Sequence, residues 1–235
     1  MADPPADPPA DPPADPPADP PADPPADPPA DPPIDPPIDP TARRTMIAAL
    51  VPEAEPLVGA FRDELDPTAR RGLGAHLTLV YPFVVPAEVT ATTLATLRAA
   101  VAPVPAFSCT FGELRWFGSR VLWLAPDGEH AVDAFREIAE RVHAAFPDLA
   151  REDRELVPHL TVGLRRAAST AALRRAEAAL APRLPLTVRV EAVQLLVRTE
   201  TWDVGAEVPL GVAPGVSPSG PSGPGSPASP GSSAG

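Results

Sequence analysis

Lysine is absent from the 235 residues, so all 19 basic side chains are arginines and no lysyl-nucleotide adduct can form. A single cysteine, Cys109, excludes an intramolecular disulfide framework and a cysteine-based zinc knuckle, and it suits a reducing compartment. Apolar runs are short. The stretch 46–51 is typical, far below the roughly 20 residues of a membrane-spanning helix. The N-terminus has no basic stretch leading into an apolar one, so no secretory signal is expected. These absences predict a cytoplasmic protein without membrane contact. Neither the ATP-cradling loop G-x-x-x-x-G-K-[ST], nor a dinucleotide fingerprint, nor H-E-x-x-H occurs. No ATP, metal or other cofactor is therefore expected.

Proline, by contrast, is abundant and unevenly placed. Residues 1–40 hold 19 of the 38 prolines and ten aspartates with no arginine, so the net charge of −12 belongs mostly to this leader. From residue 41 onward, 21 acidic groups face 19 arginines. The leader repeats A-D-P-P eight times and then I-D-P-P. It has almost no branched apolar side chain, so it cannot offset its ordering entropy and is expected to be disordered over 1–41. Polyproline II is its local preference, with a reach of about 120 Å. It reads as a spacer, a docking tail or a low-complexity expansion, and Met46 is an alternative start. Residues 211–235 contain Gly, Pro, Ser, Ala and Val without charge and are expected to be a flexible tail. The folded region is then 42–210, enough for one domain of two small lobes, expected to be a monomer.

Between residues 42 and 210 the same pattern is written twice. Residues 45–51 have strand length, and Leu57, Val58, Phe61 and Leu65 follow at helical spacing. A strand over 75–80 comes next. Thr90–Thr93 then cap a helix with Leu94, Leu97 and Val101, and 106–113 form a strand. The order recurs as a strand over 120–125, a turn at 126–128, and a helix with Val132, Phe135, Ile138, Val142 and Phe146 on one face. A strand over 156–163 leads to a helix capped by Ser169-Thr170, and 186–198 is the closing strand with 202–210 as its hairpin partner. The alternation changes phase between Val190 and Val193, which predicts a bulge near Ala192. The fold class is α+β: two pseudo-symmetric lobes, each a small, mostly antiparallel sheet with helices outside, and an active-site cleft between them.

The middle strand of each half carries the same tetrapeptide class, His76-Leu77-Thr78-Leu79 and His159-Leu160-Thr161-Val162. Strand residues i and i+2 share a face, so each motif presents His and Thr together and anchors its aliphatics in a core. A given His is followed by apolar, Ser/Thr, apolar about one time in fifty, so two such motifs among four histidines are no ordinary coincidence. Converging histidines also raise a metal site as a competitor, but each has Thr rather than a carboxylate at i+2. Other candidates for substrate contact are Tyr81 and Phe83 just after the first motif, where packing against the lobe is an equal alternative. Arg115-Trp116-Phe117 falls in the expected turn between 114 and 121, and Arg165, Arg166 and Arg198 could reach phosphate. His130 and His143 lie off the stripe of the long helix and read as exposed, and Cys109 reads as buried.

These paired H-x-T-x motifs in duplicated lobes resemble the 2H phosphoesterase superfamily, and within it the bacterial 2′–5′ RNA ligase family. The contexts 51–56 (V-P-E-A-E-P), 75–83 (A-H-L-T-L-V-Y-P-F), 157–162 (V-P-H-L-T-V), Trp202 and 209–211 (P-L-G) carry the resemblance, which spans about 45–211. It implies metal-independent opening of a 2′,3′-cyclic phosphodiester to a 2′-phosphate, reversible as a 2′–5′ ligation without ATP. The substrate would be a small cyclic nucleotide or an RNA terminus with a 2′,3′-cyclic phosphate. His76 and His159 would be the catalytic acid–base pair, with Thr78 and Thr161 on the phosphate. A near-neutral domain argues against a strong grip on long RNA. Two alternatives stand beside the enzyme: a non-catalytic binder of cyclic or 2′,5′-linked nucleotides, and an interaction protein acting through the proline-rich leader.

Overall fold

The computed structural model describes residues 44–151 and 155–211, so the expectations for the leader and, past Gly211, for the C-terminal tail lie outside the described residues. Gly211 itself, expected to open the tail, is instead held in place, donating to Val104 O and accepting from Ala106 N. Eight strands form one antiparallel sheet in the order β6-β3-β4-β5-β2-β1-β7-β8. The strands are β1 Arg44–Leu50, β2 His76–Val80, β3 Phe107–Phe117, β4 Val121–Asp127, β5 Leu160–Leu164, β6 Leu186–Val190, β7 Ala192–Arg198 and β8 Trp202–Pro209. The helices are α1 Glu55–Leu65, α2 Ala91–Val101, α3 Glu129–Ala145 and α4 Thr170–Leu180. None among the described residues is long and apolar enough to cross a membrane.

From the centre outward the sheet reads β5, β4, β3, β6 on one side and β2, β1, β7, β8 on the other. The expected lobes are thus the two halves of one sheet, joined where Leu77 pairs with Leu160. The pseudo-two-fold runs through that joint, with β1-α1-β2 matching β4-α3-β5. The halves also exchange strands. β3 ends the first repeat yet pairs with β4 and β6, while β7 ends the second and pairs with β1 and β8. The helices cross in the same sense, α1 onto β5 and α3 onto β2.

Local chemistry explains the elements. Thr90 and Thr93 form a reciprocal capping box at α2, and the Ser169 side chain accepts from Ala172 N at α4, satisfying donors that a first turn leaves open. Gly128 ends β4 at φ +80°, a conformation that only glycine adopts cheaply, and α3 begins one residue later. The main core lies between sheet and helices and includes Leu77, Leu79, Leu160 and Val162 of the two motifs, Cys109, and the α3 stripe of Phe135, Ile138 and Val142. Burial pushes the Cys109 thiol up to about 12, so it stays protonated at physiological pH.

Three sequence expectations are corrected. The stretch 186–198 is two strands rather than one bulged strand: β6 and β7 sit at different places in the sheet, separated at exposed Glu191. The phase change was a strand break. The turn after β3 starts later than expected, because β3 continues through Phe117, and Arg115-Trp116-Phe117 are strand residues paired with 121–123. Finally, β5 begins at Leu160 rather than 156, since Pro158 has no N–H for the ladder.

Candidate active site

On the sheet face away from the main core, the register sets the two motifs against each other. Leu77 pairs with Leu160. One residue either way along this antiparallel rung, His76 lies across from Thr161, and Thr78 across from His159. The four polar side chains share one face, and the four aliphatics, all buried, share the other. The two histidines are diagonal neighbours, roughly 7 Å apart at Cβ, which leaves room for one phosphate-sized group between the rings.

Each ring is held in the same way. His76 Nδ1 donates to the carbonyl oxygen of Gly74 at 2.8 Å, and His159 Nδ1 donates to that of Val157 at 2.8 Å. A carbonyl only accepts, so the proton of each neutral ring sits on Nδ1 and Nε2 is left for chemistry. Burial lowers the proton affinity of both. His76 is pushed down to about 4, first by burial and then by the Arg62 guanidinium, against smaller upward pulls from the Gly74 carbonyl and Asp66. His159 is lowered by burial and partly restored by the Val157 carbonyl.

Two aromatic-lined walls flank the quartet. Phe117 stacks on Trp123 with centroids 4.6 Å apart, and both meet the His159 ring edge-on at 4.9 and 5.8 Å. On the other side Met46, Leu73, Leu196 and Trp202 cluster with Tyr81 against them, and the Thr78 hydroxyl approaches Met46 Sδ at 3.8 Å. Between the walls lies a cavity of about 510 Å³, within the usual range for small-molecule sites.

His76, Thr78, His159, Thr161, Tyr81, Phe117, Arg166 and Arg198 all line this cavity. Phe83 and Arg115 do not. Phe83 is buried in the main core against Phe146, centroids 4.9 Å apart. Arg115 is exposed and paired with Glu113, while Trp116 turns to the helix side, donates to Glu177 and lies under Arg174. Arg165 bonds Thr170. His130 is exposed as expected, but His143 is half-buried, lines the cavity, and is lowered in proton affinity by burial and by Arg151.

Sequence reasoning passed over Arg62, Asp66, Leu73 and Trp123. Arg62 is fully buried in α1 and donates to Thr161 O, Leu73 O and Asp66 Oδ2, each at 3.1 Å, so it ties the second motif to the segment that leads into the first. Asp66 in turn accepts from Thr68 N and its hydroxyl. A signal was available: Arg62 falls on the apolar stripe between Val58 and Leu65, with a carboxylate four residues on. Among the described residues, no three His, Cys, Asp or Glu side chains are grouped so as to hold a metal ion.

A family model described as the 2′–5′ RNA ligase superfamily matches residues 50–202. No curated protein matches the chain. Among solved structures, TT0787 of Thermus thermophilus is 20% identical over 72% of this chain and 98% of its own, with a TM-score of 0.53, and shares the fold. Escherichia coli LigT, solved with 3′-AMP, is 19% identical over 72% of this chain and 98% of its own, with a TM-score of 0.48.

Proposed function

Since the chain belongs to the 2′–5′ RNA ligase superfamily, we propose that it is a cyclic phosphodiesterase that opens 2′,3′-cyclic phosphates on nucleotides or RNA ends to 2′-phosphates. The observation that carries the reading is the matched pair of imidazoles, each with Nδ1 tied to the carbonyl two residues before it, flanking one cavity.

The chemistry follows from that arrangement. An anionic phosphodiester between the rings raises their proton affinity, so one ring takes up a proton while the other stays neutral. The neutral Nε2 removes a proton from water as its oxygen attacks phosphorus. The bond from phosphorus to the ribose 3′ oxygen breaks, and the protonated Nε2 of the other ring supplies that oxygen's proton. One proton is taken and one given, so no metal or ATP is needed for balance. Thr78 and Thr161 donate to the non-bridging oxygens, where charge grows in the transition state. Run backwards, with a 2′-hydroxyl of another strand attacking in place of water, the same groups would join ends in a 2′–5′ bond.

Hydrolysis of adenosine 2′,3′-cyclic phosphate in excess EDTA tests the assignment. Wild-type turnover is expected to survive chelation, and His76→Ala and His159→Ala are each expected to lose at least about 10²-fold in kcat. Binding without turnover by the wild type would instead favour a non-catalytic nucleotide binder. Full activity in either variant would remove that histidine from the mechanism.

A further inference from the structure

The fold buries two arginines among the described residues, Arg62 and Arg198, and compensates only one. Arg62 is matched by Asp66 and two carbonyls. Arg198, at the end of β7, is 3% exposed, and its Nε is sealed from solvent with no acceptor. No carboxylate of the described residues pairs with it: Glu200 and Asp203, beside it in sequence and register, are both exposed. A desolvated, unpaired guanidinium is costly, and its planar fork of donors matches a phosphate.

Its position sets it apart from the reacting centre. Arg198 pairs with Arg44, Gln194 with Ala48, and Ala48 with Thr78, so Arg198 rises from the same sheet face as the His–Thr quartet and lines the same cavity. Two strand spacings and four residues separate it from Thr78, roughly 16 Å between Cα atoms. A long arginine side chain spans part of that separation, which leaves its guanidinium apart from the quartet but within reach of a second phosphate on the same ligand. Trp202 and Tyr81 occupy this end of the cavity. Arg71 also lines the cavity, and its neighbour Gly72, at φ +79°, lies near Trp202, where an added Cβ would be 3.6 Å from the Trp202 carbonyl oxygen.

We propose that Arg198, with Arg71 beside it, forms a second anion subsite for a phosphate other than the reacting one. The preferred substrate is then a nucleotide-chain end carrying at least two phosphates, with a nucleoside 2′,3′-cyclic monophosphate turned over less efficiently. This rests on the quartet being the reacting centre.

The test compares adenosine 2′,3′-cyclic phosphate with its 5′-phosphorylated form, for wild type and Arg198→Gln. In the wild type the 5′-phosphate should raise kcat/KM by about tenfold or more, and Arg198→Gln should lose about tenfold more on the 5′-phosphorylated substrate than on the other. Equal losses on both, or no gain from the second phosphate in the wild type, would overturn the subsite. If the wild type turns over neither substrate, the quartet reading fails, and calorimetric binding still decides the subsite. Adenosine 3′,5′-bisphosphate should then bind more tightly than adenosine 3′-phosphate, with Arg198→Gln erasing the difference. Melting separates a structural role: removing an unpaired buried charge should leave Tm level or higher, whereas a lower Tm with both affinities reduced equally would mean that Arg198 only supports the fold.

Discussion

His76 and His159 share a local frame but not a local field. Both Nδ1 atoms donate to the carbonyl two residues back, yet only His76 has the Arg62 guanidinium among the causes of its lowered proton affinity. This difference bears on stability as well as catalysis. Above pH 6.5, His76 is neutral whether the chain is folded or unfolded and contributes no pH dependence. As pH falls from 6.5 towards about 4, the unfolded chain binds the proton first, the folded one resists it, and stability is lost. Asparagine at this position keeps a side-chain N–H for the Gly74 carbonyl but cannot titrate. The Tm of His76→Asn relative to wild type should therefore rise steadily as pH is lowered from 7 to 4, read by circular dichroism. His159 is present in both proteins, so its own protonation largely cancels in the difference. A difference that is flat across that range would mean that the folded protein protonates His76 as readily as the unfolded chain does.

Individual elements are held at the site by close packing, as at Gly163 in β5. A Cβ there would lie 2.6 Å from Leu173 Cδ2 of α4 and 2.7 Å from Leu65 Cβ of α1. The Leu173 methyl can swing aside, but Leu65 Cβ moves only with its helix, and α1 also carries Arg62 to Thr161 O. Gly163→Ala should cost about 1–3 kcal/mol, seen as a lower urea midpoint at unchanged m-value. An unshifted midpoint would mean that α1 is not pinned here. Elements of this kind are the most legible feature of the sequence. The apolar stripes of α1 and α3, the Thr90 and Ser169 caps and the alternation of the His–Thr motifs each follow from a local period or a capping hydroxyl. What is not local is not legible. Residues 186–198 read as one strand because apolar residues continue through them, and only Glu191 marks where the chain leaves one side of the sheet for the other. Phe83 follows the first motif as directly as Tyr81 does, yet one turns into the core and the other faces the cavity. Trp123 reads as core in a strand buried almost throughout, and only the sheet order puts it beside His159.

At the scale of the molecule, the exchange of strands between the halves makes the duplicated sequence misleading as a guide to folding units. Cutting between the repeats, at the turn after Phe117, would give each fragment a complete strand-helix-strand-helix-strand pattern. The first fragment would nonetheless hold β1 and β2 without β7, and an eleven-residue β3 stripped of both neighbours. The second would keep the antiparallel pair β4–β5 and the hairpin β7–β8 but lose β3, which joins β4 to β6, and β1, which covers β7. Buried strands such as β1 and β7 would expose backbone donors and acceptors on an open edge, and α1 and α3 would lose β5 and β2, the strands onto which they cross. Fragments 42–118 and 119–211, produced separately, should therefore each lack a cooperative thermal transition, while the intact chain 42–211 shows one. A sharp transition in either fragment alone would show that a half can close its own core, and that the pairing of β1 with β7 and of β3 with β4 is not what holds the two histidines in one cavity.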